Sequence, residues 1–197
     1  MQETKTMIHE LLSSRRSIRK FKPDPIDRDI LERIMASACW APSAMNNQPW
    51  KFFVLTDEMR DRLALLHHDI FTQMKETFEQ KYDAEGVEKR RRLYENLGDA
   101  PVAVVCYSDL IEGEPDKVST AMACENLVIA AWAEGIGSVV MRSSLLMKDE
   151  ISFLCGVDTK IMELVLVILL GYPDENPQPQ ERRKNRVLFL SNPRDIK

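Results

Sequence analysis

The sequence predicts an α+β fold with a hydrophobic core, and two observations support that class. Helical patterns and apolar, β-branched runs are mixed along the chain without a regular strand–helix–strand alternation. No G-x-G-x-x-G motif follows a predicted strand, which argues against a doubly wound dinucleotide-binding fold. Hydrophobic residues make up 44% of the 197 residues, enough for a real core. We therefore expect a single domain spanning residues 1–197.

The amino-terminal part of the chain predicts two helices and a strand. Apolar residues recur on one face of "TKTMIHELLSSRRS", as in an amphipathic helix, and Pro23 and Pro25 then prevent the helix from continuing. Asp27 is a suitable N-cap for a second helix, which Pro42 limits, and "WKFFVLT" has the composition of a strand. The two apolar helix faces consist of Met7, Ile8, Leu11 and Leu12, and of Ile30, Leu31, Ile34, Met35 and Ala38.

A long polar stretch follows, helical in pattern from Asp57 to about Asn96. Its most polar part, at about 67–97, carries charges of both signs and little apolar surface. Such a composition is too hydrophilic for a core element. The sequence leaves two interpretations open, a solvated helical excursion and a lid over a site.

The second half of the chain predicts three strands, two helices and an irregular tail. The strands are "APVAVVCYS", "SVVM" and "MELVLVILLGYP", and "KDEISFLCG" is a short helix. The helix "STAMACENLVIAAWAEGIG", ending at Gly135 or Gly137, is apolar nearly all round. A helix of that kind must be buried on all sides, so a second subunit is expected to cover part of it. A basic arm over about 174–197 ends in the apolar "VLFL".

Composition excludes several classes of function. The chain carries 31 acidic against 27 basic residues, a formal charge of -4, and a general nucleic-acid binder usually presents a basic face. No apolar run approaches the roughly 18 residues of a membrane span, and no secretory h-region is present. Three histidines, two of them adjacent, predict no metal site. The four cysteines form no C-x-x-C pair, so we expect buried free thiols in a cytoplasmic protein.

One short basic stretch, "RRSIRKF" at residues 15–21, stands out in this acidic chain. If the chain is extended here, Arg15, Ser17 and Arg19 share one edge. Guanidinium forks and a small hydroxyl are suitable donors for a phosphate or another long anionic ligand. The alternative is a solvated basic helix end, favoured by the helix dipole.

A second stretch, "APSAMNNQPW" at residues 41–50, is rich in amides and hydroxyls. Ser43, Asn46, Asn47 and Gln48 lie between two prolines, and side-chain amides can recognise ring edges that bear both donors and acceptors. Ordinary turn chemistry explains the same composition. The two stretches together, separated by one helix, are far more specific than either alone.

The order of these stretches resembles that of nitroreductase-like flavoproteins. The resemblance runs through "RRSIRKF", "APSAMNNQPWKFFVL", "ACENLVIAAWAEGIGSVVM", "LVILLGYP" and the basic tail. It implies a sandwich with a central, mainly antiparallel sheet flanked by helices, and a homodimer formed through long helices. It also implies FMN bound at the dimer interface and a ping-pong cycle with NAD(P)H as electron donor.

The same resemblance implies roles for individual residues. It places Arg15 and Ser17 at the flavin phosphate, Arg16 nearby, and Arg19 at the pyrimidine edge of the ring. The segment Met141, Arg142 and Ser143 would run beside the reactive nitrogen of the flavin, although Arg142 is bulky for that position. The partner loop would contribute Pro42, Ser43, Asn46 and Gln48, and the tail would return Arg183, or its neighbours Arg182 and Lys184, to the phosphate.

The activity that follows is two-electron reduction of a small organic acceptor of nitroaromatic, quinone or enone type, with the chemistry on the flavin. Reductive dehalogenation, flavin cleavage and flavin binding without turnover remain alternatives. A helical interaction protein without a cofactor is a further one.

Overall fold

The protein is described by a computed structural model that covers residues 2–189, and its fold is the predicted α+β class. Four antiparallel strands form the main sheet in the order β1-β2-β5-β4, and the short β3 pairs with the end of β2. The helices are α1 (Gln2–Ser14), α2 (Arg28–Ala38), α3 (Asp57–Lys81), α4 (Ala84–Glu95), α5 (Lys117–Ala133) and α6 (Lys148–Leu154). The strands are β1 (Trp50–Leu55), β2 (Val102–Ile111), β3 (Glu114–Pro115), β4 (Gly137–Met141) and β5 (Met162–Gly171).

Strand β2 shows how the sheet divides the core into two layers. Its side chains alternate, as those of a strand covered on both faces must. Val102, Val104 and Cys106 join the cluster that includes α2 and α5, whereas Ala103, Val105 and Tyr107 join the cluster that includes α3, α4 and α6. The register with β5 shifts between Cys106 and Tyr107, at a β-bulge.

The polar stretch forms α3 and α4, and one face of each is buried. Leu63, Ile70, Phe71 and Phe78 lie at helical spacing on α3 and pack into the larger core cluster, which α4 joins through Leu93. The interpretation as a solvated excursion is therefore wrong for this face. The charges lie on the opposite face, where many pair with one another, and they lower the average hydropathy and conceal the apolar stripe.

Helix α5 ends near Gly135, the first of the two predicted glycines, which adopts a left-handed conformation with φ of 75°. Its inner face is fully covered by the sheet and α2, but Val118 and Met122 on the outer face are 68% and 46% exposed. One chain thus leaves part of this apolar helix uncovered.

Helix α1 also exposes the apolar face that its sequence predicts. Met7, Ile8 and Leu12 are each more than half exposed. The indole of Trp132 on α5 donates to the Ser14 hydroxyl at 3.0 Å and holds the end of α1 near α5.

The tail has no helix or strand from Asp174 through Phe189, and the end of the predicted arm lies outside the described residues. Cys106 and Cys124 are buried free thiols as expected, but Cys39 is exposed, so the expectation of buried thiols is wrong there. Cys39 is the C-cap residue of α2, one position beyond the buried Ala38, and Cys155 is half-buried. Among residues 2–189, no helix is long and apolar enough to cross a membrane.

Candidate functional site

The basic stretch at residues 15–21 forms an extended segment, which we call the opening strand. Helix α1 ends at Ser14, but the Arg15 amide still donates to the Leu11 carbonyl at 3.2 Å, so the alternative of a solvated basic helix end stays open for Arg15 and Arg16. The Ile18 amide donates to the Ser138 carbonyl on β4 at 2.9 Å, and the Phe21 amide donates to the Gly98 carbonyl at 2.8 Å. Ile18 and Phe21 are buried, which leaves the polar and basic residues between and before them at the surface.

Within residues 2–189, the guanidinium groups of the opening strand have no carboxylate partners. Arg16 donates to the carbonyls of Ser13 and Arg15 at 2.7 and 2.8 Å, and Arg19 donates to the Ser17 carbonyl at 3.3 Å. Within residues 2–189, no ion pair involves Arg15, Arg16 or Arg19, whereas Lys20 is paired with Asp174. The guanidinium nitrogens of these three arginines that do not donate to backbone carbonyls therefore remain available to an anion.

Close backbone packing fixes the middle of the opening strand. Gly98 has φ of 62°, and a Cβ at that position would lie 2.3 Å from the Arg19 carbonyl oxygen. The Glu175 carboxylate accepts the Arg19 amide at 2.5 Å, and the Lys22 amide donates to the Tyr172 carbonyl at 2.9 Å. The backbone that presents Arg19 is thus held from two sides.

The amide-rich loop is held in an unusual conformation. Met45, Asn46 and Gln48 have φ of 51°, 58° and 47°, a region that residues other than glycine seldom adopt. The Ser43 hydroxyl accepts the Gln48 amide at 2.9 Å, and the Ser119 hydroxyl accepts the Ala44 amide at 3.3 Å. A strained backbone that internal hydrogen bonds maintain is common at binding sites. Pro42 is exposed, as are the amide side chains of the loop.

The segment after β4 is the third part of the candidate site. Met141 is buried, Arg142 is exposed, and the Ser143 hydroxyl accepts a hydrogen bond from the Tyr94 hydroxyl at 2.8 Å. The exposure of Arg142 agrees with its side chain being too bulky for an inward position. Because the opening strand pairs with β4 at Ser138, it lies at the edge of the strand that leads into this segment.

One chain does not join all the predicted site residues. In the part of the chain that the structure describes, no hydrogen bond or ion pair connects the loop with the opening strand. Arg182, Arg183 and Lys184 are exposed in the tail and make no ion pair within that part. Their predicted roles stay predictions.

Sequence reasoning missed the roles of His67 and Tyr94, whose side chains contact the segment after β4. His67 is fully buried, and its Nε2 lies 2.9 Å from the Ser144 hydroxyl. Burial lowers the pKa of His67 to about 4, although the hydrogen bond to the Leu63 carbonyl raises it in part. Because His67 lies four positions after the apolar Leu63, the helical spacing on α3 could have indicated a core histidine. No local sequence signal indicates the hydrogen bond between Tyr94 and Ser143.

The fold and these three parts define a member of the nitroreductase family. The family model matches residues 12–172, so the chain belongs to this family and the resemblance is confirmed. The 5,6-dimethylbenzimidazole synthase of Rhodospirillum rubrum is 31% identical over 186 residues, covering 88% of this chain and 85% of the relative. Iodotyrosine deiodinase of Thermotoga neapolitana is 26% identical over 192 residues, covering 94% and 98%.

A solved structure shows the same fold. The FMN and NADPH-dependent nitroreductase NfnB from Sphigopyxis sp. strain HMH superposes with a TM-score of 0.75. The match covers 89% of this chain and 94% of that one at 23% identity. The predicted antiparallel sandwich is thereby confirmed.

Proposed function

We propose that this nitroreductase-family protein is an FMN-dependent oxidoreductase that takes two electrons from NAD(P)H. It passes them to a small organic acceptor of nitroaromatic, quinone or enone type in a ping-pong cycle. One observation carries the proposal: three guanidinium groups with no carboxylate partner within residues 2–189 lie on a segment hydrogen-bonded to β4. In a chain with more acidic than basic residues, such a cluster calls for an anionic ligand.

The residues of the site fit FMN. A phosphate of charge near -2 requires charge-assisted donors, and Arg15, Arg16 and the Ser17 hydroxyl supply them. Arg19, two residues beyond Ser17, contacts the pyrimidine edge of the flavin ring in this proposal. The loop residues Pro42, Ser43, Asn46 and Gln48 come from the partner subunit, and Arg183 of the tail reaches the phosphate.

The flavin supplies the redox chemistry when it is bound, and the protein supplies binding and orientation. The opening strand holds the phosphate end, and the segment from Met141 to Ser143 lies along the ring. No side chain has to act as a nucleophile, which agrees with the absence of a nucleophile–base pair from the predicted site.

The protein functions as a homodimer. The apolar outer faces of α1 and α5, represented by Met7, Ile8, Leu12, Val118 and Met122, are exposed in one chain. Contiguous exposed apolar surface is typical of a protein interface. A dimer would cover it and would also bring the loop of one subunit to the opening strand of the other. Free thiols favour a cytoplasmic location.

Reductive dehalogenation and flavin cleavage are the second candidates. The relatives named above include a deiodinase and a 5,6-dimethylbenzimidazole synthase, so the family fold serves more than one chemistry. Flavin binding without turnover is a third candidate, and an acceptor assay separates it from the other two.

The test has two stages. Acid precipitation of the purified protein should release free FMN, identified by mass spectrometry, and Arg15→Ala should weaken FMN binding by at least about tenfold. Arg28→Ala is the matched control, because Arg28 is exposed on α2 and pairs with Glu32. FAD in the supernatant, or equal FMN affinity in the two variants, would refute the assignment of the site.

The second stage measures NAD(P)H oxidation with nitroarenes, quinones, enones and halophenols. Turnover with the first three supports the proposed reductase, and halide release from halophenols supports the dehalogenase. A protein that binds FMN but oxidises no NAD(P)H with any acceptor would be a binding module.

A further inference from the structure

Two hydrogen bonds link the α3–α4 pair to consecutive residues just after β4. The Tyr94 hydroxyl on α4 donates to the Ser143 hydroxyl at 2.8 Å. Nε2 of His67 on α3 lies 2.9 Å from the hydroxyl of Ser144, which is fully buried. The rings of His67 and Tyr94 are neighbours, with centroids 6.3 Å apart. The helices of the polar stretch thus hold the side chains of two residues that closely follow Met141.

The hydrogen-bond partners of His67 determine its tautomer. Nδ1 lies 3.0 Å from the Leu63 carbonyl, which can only accept, so Nδ1 carries the proton. Nε2 is then the acceptor, and the Ser144 hydroxyl donates to it. Burial keeps the imidazole neutral by lowering its pKa to about 4, which preserves this arrangement near neutral pH.

We propose that Tyr94 and His67 are positioning residues that fix the backbone from Arg142 to Ser144 against the bound flavin ring. This inference rests on the proposed function, because it needs FMN beside the segment. Two adjacent residues held from two different helices cannot rotate independently of the core. A rigid support of that kind sets the direction of the peptide groups that face a ligand.

A second pair of the same chemistry shows what a packing role alone looks like. The Tyr107 hydroxyl on β2 donates to the Ser152 hydroxyl on α6 at 3.1 Å, and Ser152 is buried. Tyr107 and Ser152 belong to the same side of the sheet as Tyr94, but neither lies next to a predicted site residue. The difference between the two pairs is their position relative to the segment after β4.

The experiment compares the two pairs. Tyr94→Phe and Ser144→Ala are the test variants, and Tyr107→Phe and Ser152→Ala are the matched controls that remove the same atoms elsewhere. Each Tyr→Phe change removes one hydroxyl and keeps the ring, so the fold should survive. The readouts are the midpoint potential of bound FMN and the amide hydrogen exchange of residues 142–144 in FMN-free protein.

The test variants should change the ratio of FMN affinities in the two redox states by at least about fivefold, or roughly 20 mV for a two-electron couple. They should also speed amide exchange at residues 142–144. The control variants should lose stability but should change neither the midpoint potential of bound FMN nor the amide exchange of residues 142–144. FMN bound with the same potential in all four variants would overturn the inference and leave the proposed function intact. Wild-type protein that retains no FMN and cannot be reconstituted would overturn both.

Discussion

The buried His67 predicts a specific acid sensitivity of the fold. Its imidazole is fully buried, and the pKa of His67 falls from 6.5 to about 4, chiefly because burial disfavours the charged form. The unfolded chain therefore takes up this proton at a higher pH than the folded protein does. The contribution of the neutral His67 to the free energy of unfolding is complete above pH 6.5 and is lost as the pH falls from 6.5 to about 4.

The size of the effect follows from the two pKa values. Each pH unit between them removes up to about 1.4 kcal/mol of unfolding free energy. Proton linkage over this window predicts a loss of about 2 kcal/mol between about pH 7.5 and about pH 5, and about 3 kcal/mol at the acid end. Such a loss is a substantial part of the stability of a typical domain.

Urea unfolding of wild type and His67→Gln at these two pH values, at one fixed FMN concentration, measures this contribution. Glutamine does not titrate, so the variant should lose about 2 kcal/mol less than wild type on acidification, whatever its stability at neutral pH. His68→Gln is the matched control, because it removes the exposed imidazole next in the chain. Equal losses in wild type and His67→Gln would refute the reasoning, since His67 would then not be held neutral by the fold.

Three further predictions concern the site and the interface. Arg19→Ala should lower the midpoint potential of bound FMN by about 20 mV or more, because the reduced ring carries more negative charge. Arg15→Ala should instead weaken FMN binding with little change in potential. Equal shifts of the two potentials, measured by spectroelectrochemistry, would contradict the assignment. Met122→Glu should yield monomers that lose FMN, since the exposed side chain becomes a buried charge in a dimer, and a flavin-loaded monomer in sedimentation would exclude the interface site. Gly98→Ala should weaken FMN binding more than Gly113→Ala. Both glycines have positive φ, but only at Gly98 would a Cβ lie 2.3 Å from the Arg19 carbonyl oxygen. Equal effects in FMN titrations would contradict the link between Gly98 and the position of Arg19.

The sequence alone determined most of the local structure and the family. The strands β2 and β5 were predictable because their short apolar runs are rich in β-branched residues, which favour a buried strand over a helix. The end of α5 was predictable because Gly135 adopts a left-handed conformation without strain. The motif order from the opening strand to β5 also indicated the family that the comparisons show.

Tertiary structure decided which face of each element is buried and which groups meet. The inner stripe of α3, with Leu63 and Phe71, was hidden in the sequence because charges on the outer face dominate the average. The meeting of Tyr94 with Ser143 joins residues 49 positions apart, and local patterns carry no information about such a contact. Likewise, the charge of Arg15 was visible in the sequence, but its lack of an ion pair within residues 2–189 emerged only when the fold had placed the carboxylates elsewhere. Local sequence fixes backbone propensity and hydrophobic period, whereas long-range packing decides which polar groups are satisfied and which remain free to bind.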